Sequence, residues 1–195
     1  MPATCCTRYI HKPKDTDKHK HFIEHLVYII VRDSTEVQKR PRPRGDPGFT
    51  FKSGSEYPDH NDALVVTARI ANACVKRIMI DTGRPTNILY LDAFYKLGMT
   101  NWDLAPMTST LTGFIDDAIT PVGVTTLPVT FGDKPRTKTH MVHFLVVDLP
   151  TAYNVIIGRP TLNKLRAIVS TYHHSMKFPT STSLGEIKSD PQESR

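Results

Sequence analysis

Short apolar runs with turn residues between them recur from residue 61 onward, at 63–70, 75–80, 88–90, 122–131, 141–147, 155–157 and 167–170. Most are shorter than the roughly ten residues of a core helix. Several are rich in Val, Ile and Thr, which suit a pleated, half-buried surface. This pattern predicts strands and constrains the chain to a mainly β domain. Gly132-Asp133-Lys134-Pro135 reads as a turn joining two of them. Two helical pieces interrupt the series. Residues 91–97 carry Leu91, Phe94 and Leu97 on one face and close on Gly98, a helix C-terminal signal. Residues 160–165 open with Pro160 at a first helical position.

Residues 1–60 read differently. The tract 12–25 mixes Lys, Asp and His, and residues 22–30 hold enough apolar side chains for one short amphipathic helix or strand. Lys39-Arg40-Pro41-Arg42-Pro43-Arg44-Gly45-Asp46-Pro47-Gly48 follows, and its prolines and glycines stop a helix and forbid a central strand. The expected division is a flexible or weakly structured segment and linker at 1–60, a folded domain at 61–180, and a C-terminal strand or tail at 181–195.

Composition excludes several classes. The 195 residues carry 25 Lys and Arg against 19 Asp and Glu, a net charge of +6. The excess is shared between residues 1–60 and the remainder, with no basic stripe interleaved with aromatics. Weak, non-specific contact with nucleic acid is the most that such a distribution predicts. The longest apolar run, residues 26–31, is far short of a membrane span. No apolar segment of signal-peptide type opens the chain. Three cysteines, two of them adjacent (Cys5 and Cys6), make no disulfide framework. An intracellular, cytoplasmic protein with no membrane partner is expected. Cys5, Cys6, His11, His19, His21 and His25 lack the Cys-x2-Cys spacing that turns two sulfurs toward one zinc ion, so no metal site and no cofactor is assigned. Asp116-Asp117 lacks further ligands at useful spacing. Cys74 and the pair His173-His174 read as structural, and Ser109, Ser170 and Ser175 sit in no nucleophile elbow.

One tripeptide carries chemistry. Asp81-Thr82-Gly83 directly follows the run 75–80, and an acid at the exit of a buried strand can be held rigidly beside a cleft. Gly83 permits a tight backbone and the close approach of a substrate or a second chain. By itself the tripeptide also fits a plain strand-to-turn transition. A second feature accompanies it: Val155-Ile156-Ile157-Gly158-Arg159, an apolar strand stopped by glycine and followed by a short helix.

The pair Ile-Asp-Thr-Gly and Ile-Ile-Gly-Arg resembles the retropepsins, the retroviral-type aspartic proteases. The likeness extends over roughly residues 49–190, through His60-Asn61-Asp62-Ala63-Leu64-Val65-Val66, Leu111-Thr112-Gly113-Phe114, Pro121-Val122-Gly123, Phe144-Leu145-Val146-Val147 and Ile157-Gly158-Arg159-Pro160-Thr161-Leu162-Asn163. These blocks are similar to the protease segment of gypsy-type long-terminal-repeat retrotransposon Gag-Pol polyproteins in plants. The resemblance implies an all-β fold, a retropepsin-like closed β-barrel with one or two short helices, forming half of an acid protease behind a flexible Gag-like tail. It further implies an aspartic endopeptidase that works as a homodimer on polyprotein peptides. Asp81, Thr82 and Gly83 would be the catalytic loop, with Asp81 and its two-fold mate as the dyad and Thr82 locking the loops across the axis. Gly158 and Arg159 would support the loop from behind. Gly113, Phe114 and Ile115 would belong to a flap over the substrate, with Arg84 in the cleft.

Two departures from the family pattern bear on activity. Arg84 stands where the family has Ser, Thr or Ala, and Asn87 stands where relatives often have Asp, which leaves Arg159 without an obvious acidic partner. The flap segment is also poor in glycine. These features keep a second reading open: a catalytically impaired transposon relic, or a peptide-binding domain with the same fold.

Overall fold

The computed structural model of the protein describes residues 9–10, 49, 51, 63–107, 111–112, 118–119, 121–190 and 193. Cys5, Cys6, the N-terminal histidines, Gly113, Phe114, Ile115 and the pair Asp116-Asp117 lie outside the described residues.

Six strands close on themselves. β2 (Val65–Ile70) and β3 (Ala73–Ile80) form a hairpin, β2 continues to β7 (Gly123–Phe131), and β7 pairs along its whole length with β8 (Lys138–Val147). β8 takes β4 (Ile88–Tyr90) in parallel, β4 pairs with β9 (Val155–Ile157), and β9 returns to β3 in parallel. Closure shortens the free edges but leaves the start of β3 open, because β9 pairs only with Ile78, Met79 and Ile80 of that strand. The two-residue strand β1 (Tyr9–Ile10) adds to β3 beside Cys74 and Val75. A separate sheet of β10 (Ile168–Ser170), β11 (Ser175–Pro179) and β12 (Leu184–Lys188) carries the C-terminal part. β5 (Leu111–Thr112) and β6 (Ala118–Ile119) pair as the arms of a hairpin.

The apolar runs account for the packing on both sides of the barrel wall. The interior holds Ile70, Val75, Ile78, Leu89, Phe131, Phe144, Val155 and Ile157, joined by Phe178 from β11. A second buried cluster of Met79, Ile88, Tyr90, Leu145, Val147 and Ile156 alternates with the first along β3, β4, β8 and β9. With both faces of these strands covered, their sequences read as continuous apolar runs.

Two helices pack on the barrel. α1 (Leu91–Lys96) ends as Gly98 predicts: Gly98 has φ 83, its N–H donates to Tyr95 O at 2.9 Å, and Met99 N–H reaches Phe94 O at 3.4 Å. These two bonds satisfy carbonyls that the helix end would leave open. α2 (Arg159–Leu165) carries Pro160 in its first turn and buries Thr161, Leu162 and Leu165. A single 3-10 turn, Asn101–Asp103, is capped reciprocally by Thr100 and Asp103. Among the described residues no helix is long and apolar enough to cross a membrane.

Phe51 stacks on His173 at 5.0 Å, with the Lys177 ammonium 4.7 Å from its ring centre. His173 bonds Ser170, whereas His174 is buried and in the left-handed backbone region at φ 44.

Candidate functional site

Asp81 continues the pairing of β3 and β9 by one residue. Its N–H donates to Ile157 O at 3.0 Å, as Ile80 N–H donates to Leu64 O at 2.9 Å. The carboxylate thus leaves a strand end held from two sides, the placement expected for it from sequence. The chain then turns back over the side chain: Gly83 N–H and Arg84 N–H donate to Asp81 Oδ1 at 3.0 and 3.1 Å. Oδ2 accepts from Arg84 Nε at 3.1 Å. The Asp81 side chain is 28% exposed and that of Arg84 only 7%. The carboxylate oxygens, which offer about four lone-pair positions, are therefore largely engaged by their own loop.

Gly158 sets the back of the loop. A Cβ there would lie 2.3 Å from Thr86 O and 2.7 Å from Arg84 O. Its φ of −98° is open to any residue, so close backbone approach, and not a special conformation, requires glycine. Arg159 contributes through its backbone, whose N–H donates to Arg84 O at 2.9 Å, while its side chain is exposed. Thr82 is exposed.

Asn87 binds the loop to the rest of the fold. Its buried Oδ1 accepts from Gly158 N–H at 3.0 Å and from Thr161 Oγ1 at 2.9 Å, and its Nδ2 donates to His143 O at 3.0 Å. In the sequence Asn87 stands out only as a departure from an acidic pattern, and this role is not visible there. An amide fits here because one end must accept and the other donate. Tyr90 was missed as well. Burial raises its phenol above the ordinary value of 10.0, while a bond to Thr151 and the nearby Arg84 charge work in the opposite direction.

The arms of the expected flap, β5 and β6, are paired, and its tip lies outside the described residues. Among the described residues no group of three or more His, Cys, Asp or Glu side chains gathers that could hold a metal ion. The arrangement presents one carboxylate, held by hydrogen bonds from its own loop, where Gly158 packs closely against that loop.

No family profile matches this sequence, and no curated protein matches it. Solved structures do. The retroviral protease-like domain of Ddi1 from Leishmania major matches with a TM-score of 0.52 and 16% identity, over 67% of this chain and 96% of that one. A retropepsin-like aspartic protease from Rickettsia conorii matches with a TM-score of 0.41 and 19% identity, over 63% and 80% of the two chains. The EIAV protease, solved with the inhibitor HBY-793, matches with a TM-score of 0.38 and 21% identity, over 56% and 94%. With its closed six-stranded barrel and two helices, the chain has a retropepsin-like fold.

Proposed function

We infer that the chain is one half of an aspartic endopeptidase, completed by a second copy, that hydrolyses peptide bonds of a retrotransposon Gag-Pol polyprotein. The observation that carries this reading is the placement of Asp81: a partly exposed carboxylate at the exit of a barrel strand, on a loop clamped by Gly158, in a retropepsin-like fold. The chain has one Asp-Thr-Gly, and the chemistry uses two carboxylates, so a two-fold mate supplies the second. One carboxylate of the pair takes a proton from water as its oxygen bonds the scissile carbonyl carbon. The other, protonated, donates to the carbonyl oxygen. The C–N bond then breaks: the leaving nitrogen takes the proton that the first carboxylate received from water, and one hydroxyl on the former carbonyl carbon returns a proton to the second carboxylate as the product carboxyl forms. Thr82, exposed beside Asp81, suits a contact between the two loops. The polyprotein substrate and its plant retrotransposon source rest on the sequence blocks alone.

One observation favours the second reading, a peptide-binding domain without turnover: Arg84 covers Asp81 Oδ2. Peptide-library cleavage by the purified chain separates the two. The protease reading expects cleavage that Asp81→Asn abolishes, with circular dichroism showing that the variant is folded. Cleavage retained by Asp81→Asn removes the assignment to Asp81, and a wild-type chain that binds peptides without cutting them establishes the second reading.

A further inference from the structure

On its edge away from β2, β3 is covered by β9 only at Ile78, Met79 and Ile80. Just before them the register of β2 and β3 breaks between Val66 and Ala68, and Arg77 sits in the left-handed region at φ 58. Such a bulge turns neighbouring carbonyls the same way, and Asn154 takes both. Its Nδ2 donates to Lys76 O at 2.7 Å and its N–H donates to Arg77 O at 3.0 Å. Asn154 is wholly buried and accepts from Tyr90 N–H of β4, so it stands as a fixed stop on this edge. Among the described residues, what remains of the edge is a short slot at Cys74 and Val75. Tyr9–Ile10 fills it in parallel, with Tyr9 opposite Cys74 and Ile10 opposite Val75.

The slot belongs to the barrel, whereas its occupant comes from far away in the sequence. More than fifty residues separate Ile10 from Val65, and the ladder spans two residues. Closing so long a loop costs entropy that a two-residue ladder offsets poorly. We propose that the Cys74–Val75 edge of β3 is a β-addition site for an extended segment of another polypeptide, and that Tyr9–Ile10 is the resident occupant it displaces. The resident shows the chemistry that fits. The incoming segment runs parallel to β3, places an aromatic and a β-branched residue at the two paired positions, and has no proline there. Main-chain bonds supply the affinity in this mode, and Asn154 limits the added strand to a few residues. The inference is independent of the protease reading.

Two experiments on the full chain test it. In the first, Cys5 and Cys6 are replaced by Ser, and either Tyr9→Cys or Ile10→Cys is added. Mild oxidation is followed by non-reducing electrophoresis and mass mapping. The register puts position 9 opposite Cys74, so the Tyr9→Cys chain should form an intrachain disulfide with Cys74 about tenfold faster than the Ile10→Cys chain. Equal rates or no bond overturn the site, and a bond between two copies replaces the resident occupant by a second chain. In the second, a labelled peptide with the sequence of residues 7–12 is titrated by fluorescence anisotropy against wild type and a Tyr9→Pro/Ile10→Pro chain. The double variant cannot seat its own strand, so it should bind the peptide about tenfold tighter than wild type. Amide exchange over residues 73–77 should be faster in the variant and return to the wild-type rate when peptide is bound. Absence of binding by the variant, equal affinity of the two chains, or equal exchange over 73–77 overturns the proposal. The disulfide result is read on chains without added proline, so it stands whether or not the double variant folds.

Discussion

Asn87 Oδ1 accepts two hydrogen bonds and its Nδ2 donates a third, all within the buried corner between the Asp81 loop, β8 and α2. An aspartate there could keep the two acceptor contacts, but it would leave His143 O without its donor and bury a charge. Asn87→Asp should therefore destabilise the fold by about 2 to 4 kcal/mol at neutral pH, read as a lower midpoint in urea. A midpoint equal to wild type would mean that the amide does not bridge as described. Asp81 and Arg84 work differently at this scale. They are three residues apart in sequence, and their pairing depends on the turn that brings two backbone N–H groups onto Oδ1.

At the scale of elements, the β2–β3 hairpin carries a visible strain. Ala71, the first residue of its two-residue turn, has φ 51, a left-handed conformation that costs a non-glycine residue about 1 to 2 kcal/mol. Ala71→Gly relieves that cost and loses part of the gain to the greater freedom of the unfolded chain. The expected net stabilisation is about 0.5 to 1 kcal/mol, a small rise in melting temperature by calorimetry. β8 carries a second test. Burial, followed by the charges of Lys138 and Lys164, pushes His140 below its ordinary value of 6.5. The unfolded chain then takes up the proton first as pH falls. The stability tied to His140 is full above about pH 6.5 and is lost as the pH drops through that value toward the lower folded one. His140→Gln should flatten the acid limb of stability between pH 7 and 5 in denaturant titrations, and parallel curves for both chains would contradict this.

At the scale of the whole molecule, the barrel is closed but the proposed active site is not. One chain brings one Asp-Thr-Gly loop, and a dyad needs two. Specific activity should therefore rise with protein concentration until the dimer saturates and then level off. A dilution series with fixed substrate reads this directly, and specific activity that stays constant down to nanomolar chain would show that a single chain suffices. An Asp81→Asn chain mixed in excess with wild type should depress activity by forming mixed dimers.

The local pattern of the chain decided the strands, because side-chain type and period act over neighbouring residues: the runs at 63–70, 88–90 and 155–157 became the strands Val65–Ile70, Ile88–Tyr90 and Val155–Ile157, and Gly98 ended α1. The placement of Asp81 at a strand exit was legible for the same reason. The short strand β11 was not, since Ser175–Pro179 carries no long apolar run and is held by pairing with its neighbours and by Phe178 in the core, while β12 falls in the segment expected as a C-terminal strand or tail. Only the tertiary structure decided that β9 closes on β3, that Asn87 reaches Gly158 and Thr161, and that Arg84 turns inward onto Asp81. The first two join positions more than seventy residues apart. The third depends on which way one side chain is packed. Local periodicity carries no information about either; burial and hydrogen-bond satisfaction in the assembled barrel settle both.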